Sequence, residues 1–237
     1  MKQTSGKKIM LITGSRKGIG RFLSEYYAEK DYLVIGCSRG ESDFNNENYR
    51  HYSLDVADEK QVKNLFTLLQ KNFGRLDVLI NNAGIASMNH ILLTPMKKVK
   101  EIFNTNYMGT FLFSREAAKL MIKNKSGRII NFATVATPLK LEGEAVYASS
   151  KAAIVNLTEI MASEFASFGI TVNSVGPTPI KTDLIKSVPE EKMSALLNKQ
   201  SIKRYGELND ISNVIDFFIK EESNFITGQT IYLGGVS

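Results

Sequence analysis

The chain has 237 residues, 43% of them hydrophobic and 23% charged, the usage of an ordinary globular protein rather than a disordered or fibrous one. A single cysteine, Cys37, excludes an internal disulfide, and two histidines far apart in sequence, His51 and His90, offer no metal-ligand cluster. Thirty basic against 24 acidic residues give a net charge of +6, scattered as solvated lysine without a basic arm, so nucleic acid is not an expected partner.

In chain order, strands are expected over residues 9–13, 33–37, 49–56, 76–81, 128–133, 171–175 and 229–233. Helices are expected over 18–30, 59–72, 97–123, 145–168 and 209–221. Runs such as Ile9-Met10-Leu11-Ile12 and Val78-Leu79-Ile80 are apolar at every position, the mark of strands buried on both faces of a parallel sheet. Strands alternating with helices give a doubly wound α/β fold with helices on both faces. One segment, 178–205, breaks the rhythm. It carries prolines and a helical pattern over 190–200 with no strand before it. An insertion after the sixth strand lies at the carboxyl edge, where open sheets bind ligands, and reads as a substrate lid on a single domain spanning 1–237. No apolar run approaches the roughly 18 residues of a membrane span, and the run after Lys7 and Lys8 is too short for a signal-peptide core. The expectation is a soluble cytoplasmic protein with no membrane partner.

The first strand runs into Thr13-Gly14-Ser15-Arg16-Lys17-Gly18-Ile19-Gly20 and then into a helix. Glycines in that turn let the backbone approach a pyrophosphate, and the helix start supplies free N–H groups and a positive dipole end. The second strand leaves through Cys37-Ser38-Arg39-Gly40. No acid is there to accept from a ribose 2′-hydroxyl, whereas Arg39, with Arg16 or Lys17, suits a 2′-phosphate. The expected dinucleotide is NADP(H). Further on, Tyr147-Ala148-Ser149-Ser150-Lys151 places a phenol and an ammonium four residues apart on one helix face. At about 4 Å and an effective dielectric near 20 the pair is worth up to about 4 kcal/mol, or about three units of phenol acidity before desolvation. Such a pair poises a proton donor for a developing alkoxide. Thr134 ends the fifth strand, with its hydroxyl expected at the same edge. Asn106, among apolar helix neighbours, reads by itself as an amide satisfying a backbone group.

Taken together these residues resemble the short-chain dehydrogenase/reductase family from about Lys8 onward. The marks are Thr13-Gly-x-x-x-Gly-Ile-Gly20, Asp55, Asn81-Asn82-Ala83-Gly84, Asn106, Thr134 and Tyr147-x-x-x-Lys151. They continue with Pro177, Ile180-x-Thr182-Asp183 and Phe225-Ile226-Thr227-Gly228-Gln229. The resemblance implies a Rossmann-like, seven-stranded sheet and a homotetramer, with a dimer as the alternative. It implies that Tyr147 exchanges a proton, that Lys151 lowers its pKa and holds a ribose, that Asn106 anchors a water relay and that Thr134 polarises a carbonyl. It extends cofactor contact to the whole turn from Gly14 to Gly20, to Ser38 and Arg39, to Asp55 and Val56, to Asn82, Ala83 and Gly84, and to Pro177, Ile180 and Thr182.

The chain departs from the family pattern in two places near the chemistry. Thr134 stands where serine is usual, and Thr178 stands where glycine follows the proline. Within the family it is most similar to bacterial 3-oxoacyl-(acyl-carrier-protein) reductases, which implies NADPH-dependent reduction of a ketone, free or carrier-bound, to a secondary alcohol. A basic residue expected before Gly169 for an acidic carrier is Phe168, while Lys125 is kept. The alternatives are an NADP-dependent sugar, polyol or other secondary alcohol dehydrogenase, and a non-catalytic NADP-binding regulator. A pocket of Ala86, Met88, Val135, Leu139 and Leu184 is expected to favour an apolar substrate.

Overall fold

A computed structural model describes residues 6–185 and 188–236. Strand β1 (Lys8–Thr13) leads into α1 (Gly18–Ala28), then β2 (Tyr32–Ser38), β3 (Tyr49–Ser53), α2 (Glu59–Asn72) and β4 (Val78–Asn81). Helix α3 (Met96–Phe103) passes through a π-helical turn, Asn104–Met108, into α4 (Gly109–Asn124) and β5 (Gly127–Phe132). A short α5 (Ala136–Leu139) precedes α6 (Ala145–Phe165), β6 (Ile170–Gly176), α7 (Glu190–Asn198), α8 (Leu208–Ile219) and β7 (Thr230–Tyr232). The strands form one parallel sheet in the order β3-β2-β1-β4-β5-β6-β7. The winding reverses between β1 and β4, so the crevice for a ligand opens there, at the carboxyl ends of the strands.

The apolar runs are unbroken because they feed two cores. Along β1, Ile9 and Leu11 join Phe66, Phe113 and Met161 on one face, while Met10 and Ile12 join Leu23, Tyr27 and Phe218 on the other. Successive strand residues point to opposite faces, and both faces are covered. Differences from the sequence expectations fall mostly at element ends. The third strand stops at Ser53, the helix expected over 145–168 gives way after Phe165 to a 3-10 turn, and α5 was not expected. The larger difference is the helix expected over 97–123, which the π turn interrupts. There the Asn106 carbonyl accepts from Thr110 Oγ1 at 2.7 Å. An extra residue in one turn rotates the helix beyond it, a device found frequently at functional sites.

The insertion after β6 is tied at its base. Ile180 bridges to Gly206, whose N–H donates to Pro179 O at 2.9 Å. Buried Gln200 donates to the carbonyls of Ile202 and Arg204. Under the crevice, Asn81 Nδ2 donates to Ser114 Oγ and to Asn131 Oδ1, each at 2.9 Å, and Asn131 Nδ2 donates to Thr158 Oγ1 at 2.9 Å. This polar thread pins β4 and β5 to α4 and α6. Asn131→Ala removes one acceptor from Asn81 Nδ2 and the donor to Thr158 Oγ1, and urea unfolding is expected to register a loss of about 1–3 kcal/mol with an unchanged slope.

Candidate active site at the carboxyl edge

The turn after β1 is held shut from the neighbouring strand. Thr13 Oγ1 accepts from the N–H groups of Asn82 and Ala83 at 3.1 and 3.0 Å, and Asn82 Nδ2 donates to Thr13 O at 2.9 Å. Gly14 has φ +71°, and a Cβ there would stand 2.9 Å from Ala83 Cα. At Gly20 a Cβ would overlap the Gly14 carbonyl, so α1 can sit this close to β1 only without a side chain. The start of α1 has no side-chain cap and no acid in its first turn. Its N–H groups and dipole end are therefore available to an anion, which is what a dinucleotide pyrophosphate requires.

At the exit of β2 the expected residues divide. Arg16 packs against Gly40, its Cζ 3.5 Å from where a Cβ would stand, while Arg39 is exposed. Lys17 turns the other way and pairs with Asp183 at 3.7 Å. The hydroxyls of Ser15 and Ser38 are engaged inside the protein. Ser15 is fully buried and accepts from Tyr49 Oη at 3.0 Å, while Ser38 Oγ donates to Gly40 O at 2.8 Å. His51 joins the two, with Nδ1 2.9 Å from Tyr49 Oη and Nε2 3.0 Å from Gly40 O. These side chains tie the turn after β1 to the exit of β2. Asp55 Oδ1 accepts from the Ala57 N–H. The Val56 side chain is buried against Gly109 and so faces the core.

Four residues converge on the next part of the crevice. Asn106, from the π turn, clamps Ile85 through both its backbone groups, accepting from the N–H at 2.9 Å and donating to the carbonyl at 3.0 Å. It also donates to Ser150 Oγ at 3.0 Å. Gly84 leaves an open ledge above it, since a Cβ there would lie 3.4 Å from Asn106 Oδ1 and 3.5 Å from Lys151 Nζ. Lys151 is buried and donates to the Phe132 carbonyl at 2.7 Å. Tyr147 and Thr134 stand side by side in the wall of one cavity.

The electrostatics differ from the sequence expectation. Burial pushes the Tyr147 hydroxyl up to about 12; a hydrogen bond with Thr134 lowers it and the charge of Glu144 raises it. Burial likewise brings the Lys151 ammonium down to about 8. Desolvation disfavours the charged form of both groups, and the ammonium is directed at a backbone carbonyl. Burial, Thr134 and Glu144 are what shift the phenol here. The hydroxyl stays protonated at neutral pH and is suited to giving a proton rather than taking one.

The cavity beside them measures about 390 Å³. Its wall includes Ala86, Met88 and Val135 as expected, together with Ile19, Asn82, Gly84, Pro177, Thr178, Ile180 and Thr182. Leu139 is not in the wall, because the short turn of α5 carries it away, and the Leu184 side chain, with Lys186 and Ser187 of the lid, lies outside the described residues. Thr178 is accommodated because Gly206 faces its methyl group, which would stand 2.7 Å from a Cβ there. Sequence reasoning missed Glu144 and, from α7, Lys192, Met193 and Leu196. The acid three residues before Tyr147 was the available signal; the α7 residues had none, because their approach depends on how the insertion folds back.

A cation buried without a counter-ion costs stability until it loses its proton. The unfolded chain holds that proton up to about pH 10.5 and the folded one only to about 8, so stability of the ligand-free protein is expected to rise with pH across that window. Lys151→Met should remove this rise and stabilise the protein at pH 7 by up to about 3 kcal/mol, as read from denaturation at several pH values.

Comparison with known proteins agrees with this geometry. The short chain dehydrogenase family matches residues 8–193. The 3-oxoacyl-[acyl-carrier-protein] reductase FabG of Vibrio cholerae is 33% identical over 234 residues, covering 96% of each chain. Among solved structures, ElxO with NADP bound superposes with a TM-score of 0.87 at 35% identity, covering 96% of this chain and 97% of its own. Ligand-free aldohexose dehydrogenase of Thermoplasma acidophilum superposes with a TM-score of 0.88 at 29% identity, over 97% of this chain and 94% of its own. With the parallel seven-stranded sheet, the glycine turn and the Tyr147–Lys151 pair on one crevice, the chain belongs to the short-chain dehydrogenase family of oxidoreductases.

Proposed function

We propose that the protein reduces a ketone to a secondary alcohol with NADPH. The observation that carries this reading is the convergence of Tyr147, Thr134 and Lys151 on one cavity that also reaches the glycine turn through Ile19 and Asn82. When bound, the cofactor supplies the hydride that adds to the carbonyl carbon. Tyr147 delivers the proton to the carbonyl oxygen, and Thr134 donates a hydrogen bond to that oxygen as negative charge grows on it. Lys151 and Asn106 hold the floor of the site, and Lys151, close under the Gly84 ledge, is in reach of a ribose hydroxyl. Arg39 and Arg16 receive the 2′-phosphate; the uncapped start of α1 receives the pyrophosphate, and Pro177, Ile180 and Thr182 border the nicotinamide. Residues 178–205, with α7, act as the lid.

The relatives named 3-oxoacyl-[acyl-carrier-protein] reductases support a substrate of that type, and the mostly aliphatic cavity suits it. The carrier is a different matter. Lys125 and Phe168 precede β5 and β6, so they lie at the amino edge of the sheet, opposite this cavity. A carrier docked on them would face away from the site of the same chain. A sugar or polyol substrate is the second reading, favoured by Glu144, Lys192 and Lys199 in the cavity wall. The functional unit is read as a homotetramer in the cytoplasm. Two groups of exposed apolar side chains support the assembly: Met108 of the π turn, Phe111 of α4 and Ile160 of α6, and Phe217 of α8 with Phe225 after it. Light scattering should give four times the 26.4 kDa of the chain, and a monomer would remove that part of the reading.

Tyr147→Phe is expected to abolish nearly all NADPH oxidation across a panel of ketones and 3-oxoacyl thioesters while leaving NADPH affinity within a few-fold. An unchanged rate would refute the proton-transfer role. Arg39→Asp should weaken NADPH by about tenfold or more, the scale of one charge-assisted contact, and shift preference toward NADH. Fluorescence titration with both cofactors measures it, and an unchanged preference would reassign the 2′-phosphate contact.

A further inference from the structure

Glu144 is a buried acid in the wall of the cavity, three residues before Tyr147. It occupies the N-cap position of α6, yet its side chain makes no capping hydrogen bond. Its Oε2 is shielded from solvent and without a hydrogen-bond partner among the described residues. Buried polar atoms are nearly always satisfied, and an exception in a native structure asks for a reason. A structural reason is missing, because the helix start that this carboxylate might have served is left uncapped.

The surroundings narrow what it awaits. Lys192 of the lid helix acts on the carboxylate through its charge, with Nζ 3.9 Å from where a Cβ on Gly143 would stand. Tyr147 and Thr134 are engaged with one another. Much of the remaining wall is apolar, including Met88, Val135, Met193 and Leu196. Burial pushes the carboxyl up to about 7, and a donor placed against it favours the ionised, accepting form. The terminal torsion of a glutamate is soft, so either oxygen can be turned toward the cavity. Glu144 and Tyr147 line the same cavity, and the charge of one acts on the hydroxyl of the other, so a small substrate whose carbonyl meets the phenol has this acceptor close by.

We infer that Glu144 is a specificity-determining residue that accepts a hydrogen bond from a donor on the carbon α or β to the reacting carbonyl, so that the preferred substrate is a small hydroxy- or amino-ketone rather than a bare oxoacyl chain. This rests on the ketone-reductase reading and specifies the substrate class of the same site.

The test compares kcat/KM for a 1-hydroxy-2-ketone, the matching 1-amino-2-ketone and the same ketone with hydrogen in place of either group. Wild-type protein is expected to favour a donor-bearing ketone by at least about tenfold, the lower end for a hydrogen bond to a charged acceptor. Glu144→Leu should bring that ratio to about one, chiefly through KM. Glu144→Gln keeps an acceptor oxygen without the charge, so it should retain part of a hydroxyl preference and lose an ammonium preference. A wild-type ratio near one, or a ratio that Glu144→Leu leaves unchanged, overturns the inference while the reductase reading stands. Wild-type protein that turns over none of these ketones or the thioesters, although NADPH raises its melting temperature, overturns both. If Glu144→Leu does not fold, Glu144→Gln decides: unchanged preferences for both donors overturn the assignment.

Discussion

A buried ammonium whose hydrogen-bond partner among the described residues is one backbone carbonyl is the constraint around which the carboxyl edge is arranged. Lys151 lies under the crevice and donates to Phe132 O, the last carbonyl of β5. Removing a cation from water is costly unless something else satisfies it, and one carbonyl does not offset the loss, as the lowered proton affinity of the amine records. The fold tolerates that cost because the elements on either side are held independently of it. The thread through Asn81, Ser114, Asn131 and Thr158 fixes β4 and β5 against α4 and α6, and Lys151 hangs from the helix so fixed. Functional sites characteristically carry such local penalties, which the surrounding structure offsets.

Asn106 is placed by the same kind of constraint. A regular helix through residues 104–108 would carry its side chain along a different direction, and the π turn gives it the rotation to meet Ile85. Through Ile85 and Ser150 it joins the loop after β4 to the first turns of α6. The loop that borders the cavity, the helix that carries the phenol and the strand end that carries Thr134 are thus referred to one another by hydrogen bonds rather than by apolar packing alone. Directional contacts suit a site where a proton donor must be held close to its acceptor.

At the exit of β2 the arrangement is looser and rests on charge. The Arg16 side chain packs against Gly40, the charge of the exposed Arg39 acts on Glu101, and Lys17 is paired with Asp183. The loop beneath is stiffened by Ser15, Tyr49, His51 and Ser38, which satisfy one another and the Gly40 carbonyl.

The order of strands and helices, the parallel sheet and the identity of the glycine turn were legible in the residues, because burial on both faces forces unbroken apolar runs and a tight strand-to-helix turn demands glycine. The Tyr147–Lys151 pair was visible for a similar reason: helical spacing alone puts both on one face. Whether the lysine acidifies the phenol was not visible, since that depends on how deeply each head is buried and on which acceptor the ammonium finds, and both are set by residues distant in the chain. The π turn at Asn106 has no local signature, for its neighbours are ordinary helix formers and the deviation is stabilised from outside by Ile85. Arg16 and Lys17 are adjacent and chemically alike, and only the folded position of Gly40 and Asp183 separates their uses. The same holds for Glu144. Its sequence marks an acid near a helix start, where a cap is the ordinary expectation; tertiary packing instead leaves the carboxylate in the wall of a cavity that α7 also borders, with Oε2 shielded from solvent.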